Sequence, residues 1–194
     1  MKDSKTILKE LFRKSIHLCS SFVPLFFSYN YWLTVYGLLG VVVLYYFCEL
    51  ARLEGHPVIL ISRITETASR QRDEYKFVLG PVTLVFGIVL AALLIPLPYA
   101  KVGIFALAFG DGLASLAGKL FGRIKLPHTG GKTLEGSLTC FAAVFISTMI
   151  VCQRPVVSFL VALLAMLIEV FPLGDWDNMI IPVATGGLYW LLCM

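Results

Sequence analysis

Three stretches of this chain carry residues whose type and spacing could do chemistry, and each adjoins a long apolar run. The first is Gly110-Asp111-Gly112, inside an apolar helix pattern and followed at i+4 and i+8 from Asp111 by Ser115 and Lys119. A carboxylate within a hydrophobic span is costly, which makes Asp111 a functional-site candidate. The competing account is a simple salt bridge to Lys119 or another base, although such pairs cost desolvation. The second stretch is His128-Thr129-Gly130-Gly131-Lys132-Thr133, with Glu135 close behind. Two glycines free the backbone to turn N–H groups inward, the start of a helix adds its dipole, and Lys132 supplies a point charge. Together these make an anion site. A basic loop gripping lipid headgroups would show the same residues. The stretch is not a P-loop, because Leu126 stands where that motif needs glycine and no strand precedes it. Glu135 beside the anion site suits metal coordination or orientation of Lys132. The third stretch runs from Glu169 to Asn178, and within it Asp175, Asp177 and Asn178 offer hard oxygens of the kind Mg²⁺ takes. Asp177 or Asn178 could equally cap the following helix.

Positioning these groups falls to helices in a membrane. Of 194 residues 58% are hydrophobic and only 14% charged, too apolar for a soluble domain, and the apolar runs approach twenty residues. Residues 2–14 place Ile7, Leu8, Leu11 and Phe12 on one face, as an interfacial helix does. Apolar spans follow at about 15–29, 32–50, 78–96, 99–121, 133–152, 155–172 and 178–193, and the polar 53–77 segment predicts a surface-lying helix. Lys and Arg number five before residue 15, five over 52–77 and four over 119–132, whereas the alternate loops hold only Lys101 and Arg154. That asymmetry predicts about seven spans with a cytoplasmic N-terminus. It also gathers Asp111, Lys132, Glu135, Glu169, Asp175 and Asp177 toward the cytoplasmic face.

Several function classes fall away. The net charge of +4 sits at span ends and is not a nucleic-acid signature. Five cysteines without CxxC spacing read as core or lipid-facing residues, and His56 and His128 have no ligand-like partners. His17 shares a helical face with Arg13 and reads as an interface histidine. The N-terminal apolar stretch continues past any cleavage site, so a removable signal peptide is not expected. Gly110, Ala114, Gly118 and Gly122 recur every four residues, which lets another helix backbone approach closely.

Four separated motifs then match one family in order: Arg13-Lys14-x-x-His17, Gly110-Asp111-Gly112 with Gly118, Lys132-Thr133-x-Glu135-Gly136-Ser137, and Glu169 followed by Asp175-x-Asp177-Asn178-x-x-Ile181-Pro182. The chain resembles the CTP-dependent lipid kinases (dolichol kinase, phytol kinase and the CTP-using diacylglycerol kinase) over nearly its whole length. It is closer to the compact phytol or diacylglycerol type than to dolichol kinases, which carry extra N-terminal spans. The resemblance implies transfer of the γ-phosphate of CTP to the hydroxyl of a membrane lipid with a divalent cation such as Mg²⁺. The expectation is an all-α integral membrane protein, one bundle over 1–194, acting at the cytoplasmic leaflet on a polyprenol, a phytol-like alcohol or diacylglycerol. Asp111, Lys132 and Glu135 would be catalytic. Arg13, Lys14, Gly118, Lys119, Gly130, Gly131, Lys132, Thr133 and Asn178 would bind the nucleotide, and Asp111, Asp175 and Asp177 the metal. The rival is a cytidylyltransferase that joins CMP to a phosphatidate-like lipid. A transporter using Asp111 as an ion site would show inverted repeats and acids at the midplane, and neither is present. Oligomeric state is left open.

Overall fold

The computed structural model describes residues 4–56, 58–68 and 76–194. Among the described residues the regular structure is helical: α1 (Ser4–Cys19), α2 (Val23–Tyr29), α3 (Tyr31–Leu53), α4 (Ile59–Ala68), α5 (Gly80–Leu94), α6 (Leu97–Phe105), α7 (Gly112–Phe121), α8 (Leu134–Cys152), α9 (Pro155–Val170) and α10 (Asp177–Cys193). Local chemistry sets most boundaries. Asn30 caps α3 by accepting from the Leu33 N–H at 3.0 Å, and Thr133 caps α8 by accepting from the Gly136 N–H at 3.2 Å. Proline opens α5, α6 and α9, where its missing N–H costs nothing.

Among the described residues three helices are long and apolar enough to cross a membrane: Tyr31–Leu53, Leu97–Phe121 and Leu134–Cys152. Gly80–Leu94 and Pro155–Val170 are apolar but shorter. The core is filled largely by small or branched side chains, among them Ala100, Ala106, Ala162, Ala165, Val144 and Val161. Large apolar residues such as Phe22, Phe47, Ile150 and Val156 stand exposed on the outside. Small inside and large outside is the arrangement of helices packed in lipid.

The N-terminal region differs from the sequence expectation. Helical winding continues through 15–29 but is not uniform there. α1 ends at Cys19, a tighter turn occupies Ser20–Phe22, and the short α2 carries Pro24 in its first turn. Ser20 and Ser21 hydroxyls donate back to the carbonyls of His17 and Leu18 at 2.6 and 2.7 Å, which competes with regular winding there. Helix α1 is also turned inside out. It buries Glu10, Lys14 and His17, spaced i, i+4 and i+7, while Leu8 and Leu11 face outward. The expected surface helix corresponds to α4, and residues 69–75 of that segment lie outside the described residues, as does Lys2.

The long α6–α7 helix is interrupted by six residues of wider, π-type winding at Ala106–Asp111. Such widenings are frequent at functional sites, and this one ends on Asp111. The small face of α7 packs on α8. A Cβ at Gly136 would lie 2.9 Å from the Ala114 carbonyl oxygen, and one at Gly110 2.7 Å from Val144 Cγ2. The four-residue repeat of small side chains is therefore a packing device, and it sets how near Asp111 stands to the start of α8.

Candidate active site

One cavity of about 450 Å³ opens where the charged ends of the helices meet. Its wall is built from α1 (Glu10, Arg13), from the widened turn and α7 (Asp111, Ser115, Gly118, Lys119), and from the loop into α8 (Thr129 to Thr133, Gly136). The end of α9 and the start of α10 complete it with Glu169, Gly174 and Asp177. Groups separated by more than a hundred and fifty residues thus share one space.

The loop between α7 and α8 is a small hairpin-like excursion. Lys125 and Thr133 form an antiparallel bridge, closed by Leu126 N–H to the Lys132 carbonyl and Leu134 N–H to the Ile124 carbonyl, both at 2.9 Å. Its tip needs left-handed backbone at Gly130 (φ +70°) and Gly131 (φ +96°), which glycine adopts without strain. This turn returns the chain so that Lys132 points into the cavity. There its Nζ donates to Glu169 Oε1 at 2.9 Å and to the Glu169 carbonyl. Ser137, one turn further on, donates to Glu169 Oε2 at 3.2 Å. The five-residue spacing of Lys132 and Ser137 therefore lets both hold one carboxylate.

Asp111 is 3% exposed, and its Oδ2 accepts from the fully buried Lys14 ammonium and lies 3.3 Å from His17 Nδ1. Both contacts fall on Oδ2, and Asp111 lines the cavity. On the same seam between α1 and α7, Glu10 joins two bases, accepting from Arg13 through Oε1 and from Lys119 through Oε2. Burial pushes the Glu10 carboxyl upward, but Arg13, Lys119 and Lys14 outweigh it and hold its pKa down at about 2.

Of the residues singled out from sequence, the cavity brings together Arg13, Asp111, Gly118, Lys119, Gly130, Gly131, Lys132, Thr133 and Asp177. It does not bring in four others. Lys14 sits behind Asp111 as its partner. Glu135, in the first turn of α8, stands outside the cavity lining. There its carboxylate accepts from the Arg123 and Ile124 N–H groups at 2.9 and 3.2 Å and pins the end of α7. Asp175 is half-buried in the turn before α10 and does not line the cavity. Asn178 donates to Thr83 Oγ1 at 3.0 Å and Gly80 O at 3.4 Å, tying α10 to α5, and its N–H donates to Asp177 Oδ1 at 2.9 Å. It fixes the helix start that presents Asp177.

Two site carboxylates had no role assigned from sequence, Glu10 and Glu169. The only sequence signal for Glu10 is its i, i+4, i+7 spacing with Lys14 and His17, which the apolar face beside it outweighs.

Comparison with known proteins adds independent information. No family model matches the chain, and no solved structure matches it. It is similar to "Phytol kinase" of Synechocystis sp., 28% identical over 190 residues, covering 93% of this chain and 78% of the relative. It is also similar to "Probable phytol kinase 1, chloroplastic" of Oryza sativa, 27% identical over 148 residues, and to "Phytol kinase 1, chloroplastic" of Arabidopsis thaliana, 24% identical over 142 residues. Those alignments cover 66% and 64% of this chain, and in each case 47% of the plant protein. The chain thus spans about half the length of its plant relatives.

Proposed function

We propose that the protein is a membrane lipid kinase that transfers the γ-phosphate of CTP to the hydroxyl of an isoprenoid alcohol of the phytol kind. The observation that carries this is the convergence of Asp111, Lys132 and Asp177 on one cavity at the charged end of an apolar bundle. Lipid kinase chemistry needs phosphate-binding bases and carboxylates within reach of a hydroxyl at headgroup depth, and the cavity offers both. The similarity to phytol kinases along 93% of the chain supports the acceptor class. CTP as donor rests on the four-motif resemblance.

Arg13, Lys119, Lys132 and the Gly130–Gly131 backbone take the donor's phosphates. A divalent cation fits as a guest held jointly with those phosphates. Asp111 and Asp177 line the cavity with hard oxygens, while no three protein ligands converge among the described residues. Asp111 and Asp177 would hold it, and it would neutralise charge on the phosphates. The acceptor hydroxyl oxygen then forms a bond to the γ-phosphorus as the bond from that phosphorus to the β–γ bridging oxygen breaks, so that CDP leaves. Asp111 orients the hydroxyl and takes its proton. Lys14 and His17 hold Asp111 in place for this step. The topology that suits a cytosolic donor has about seven spans, the N-terminus in the cytoplasm and the cavity at the cytoplasmic leaflet.

The test is direct. Purified protein in micelles with phytol, CTP and Mg²⁺ should yield the alcohol monophosphate by mass spectrometry. The Asp111→Asn variant should remain folded and lose the product. Near-wild-type activity in that variant would remove Asp111 from the chemistry.

A further inference from the structure

Each base on the cavity wall is already engaged by a carboxylate. Glu10 spans Arg13 and Lys119, and Glu169 engages Lys132. Glu10 stands out among these acids. It is 5% exposed, it lines the cavity rather than the surface, and each of its two oxygens meets a different base. One anionic group bridging a guanidinium and an ammonium is the arrangement a phosphate oxyanion would take between the same two side chains. Arg13 also keeps an unmet demand, since its buried Nε has no hydrogen-bond partner among the described residues. A guanidinium presents five donors in a fixed fork, and a carboxylate touching one terminal nitrogen leaves that fork partly unused. A phosphate has three oxygens with which to fill it.

We infer that Glu10 is an internal counter-ion of the donor site, holding the place between Arg13 and Lys119 that a donor phosphate takes over. It keeps both bases charged, ordered and neutralised while the cavity is empty, and it competes with the incoming anion. Affinity for the donor is therefore set below what Arg13 and Lys119 could deliver alone, which favours release of the charged product after transfer. This inference rests on the proposal that the cavity takes the donor's phosphates. It concerns a residue that touches neither the acceptor nor the transferred group, so Glu10 sets donor affinity and is not a catalytic residue.

The probe is inorganic tripolyphosphate, titrated calorimetrically into the full chain in detergent. It carries no base and no sugar, so the result does not depend on which nucleotide is the donor. Wild type should bind it, and Glu10→Gln should bind it more tightly, on the order of tenfold, because a competing charge has gone. The Lys132→Met variant should lose most binding in either background. Should Glu10→Gln fail to give folded protein, Glu10→Ala also removes the carboxylate at a helix-favouring residue and carries the same expectation. Unchanged or weaker binding in a folded Glu10 variant would overturn the inference and make Glu10 a scaffold for the two bases. No binding to wild type at all would instead overturn the proposal that this cavity holds phosphates.

Discussion

At the scale of single residues, the site is held by charges that depend on each other. Lys14 is 1% exposed and its partner Asp111 is 3% exposed, so removing Lys14 leaves the buried Asp111 carboxylate with only His17 beside it. Lys14→Met should destabilise the protein by about 3–5 kcal/mol, read from unfolding in detergent, and adding Asp111→Asn should recover part of that loss. If the two losses simply add, the pair is not coupled. Asp111→Asn alone should cut turnover by about 10²–10⁴-fold if it serves as orienting group and base. Glu10 gives a pH signature of its own. Its pKa is lowered from 4.5 to about 2, so its stabilising contribution is complete above pH 4.5 and fades as the pH falls to 2. Wild type should therefore be more stable than Glu10→Gln at pH 7, with the two converging near pH 2. A difference that persists at pH 2 would mean that the contribution is not electrostatic. Asp111 and Lys132 were legible from sequence because a charge in an apolar run and a Gly-Gly-Lys turn are each unusual on their own. Glu10 was not, because a lone acid among lysines on an amphipathic helix is ordinary until its partners across the bundle are known. Glu135 misled for a related reason: closeness in sequence to Lys132 says nothing about which side of α8 it faces.

At the scale of elements, the helix limits were largely written in caps and prolines, and the helices from Gly80 onward lie within a few residues of the apolar runs that predict them. The region before residue 30 was harder. Its apolar run is continuous in sequence, but serine hydroxyls returning to carbonyls and Pro24 accompany a tighter turn within the helix that hydropathy alone would draw. The inversion of α1 was hidden for a physical reason as well. In water the apolar face of an amphipathic helix turns inward, whereas beside lipid the polar face can. The seam between α7 and α8 carries a clear prediction. Gly136→Ala would press a methyl against the Ala114 carbonyl oxygen, a backbone atom that cannot swing aside. It should cost about 1–3 kcal/mol of stability and reduce activity, since the same seam sets the distance from Asp111 to the α8 start. Unaltered stability would mean that the two helices are not locked together there.

At the scale of the whole molecule, the account requires the cavity, the N-terminus and the 119–132 loop to share one side of the membrane. In a cysteine-free background, Lys125→Cys should resist an impermeant thiol reagent applied outside intact cells, and Arg154→Cys should react. The reverse pattern would invert the topology. The all-helical, apolar character was readable because helix length and hydropathy in a membrane follow from the bilayer itself. The assembly of α1, α7, α9 and α10 around one cavity was not, because packing between distant helices leaves no local pattern. The central claim remains that this cavity moves a terminal phosphate to a lipid alcohol. Purified protein given phytol, Mg²⁺ and CTP labelled at the γ-phosphate tests it most directly. The account predicts label in the lipid product and unlabelled CDP. Label released as pyrophosphate, with cytidine in the lipid, would contradict it and identify a cytidylyltransferase.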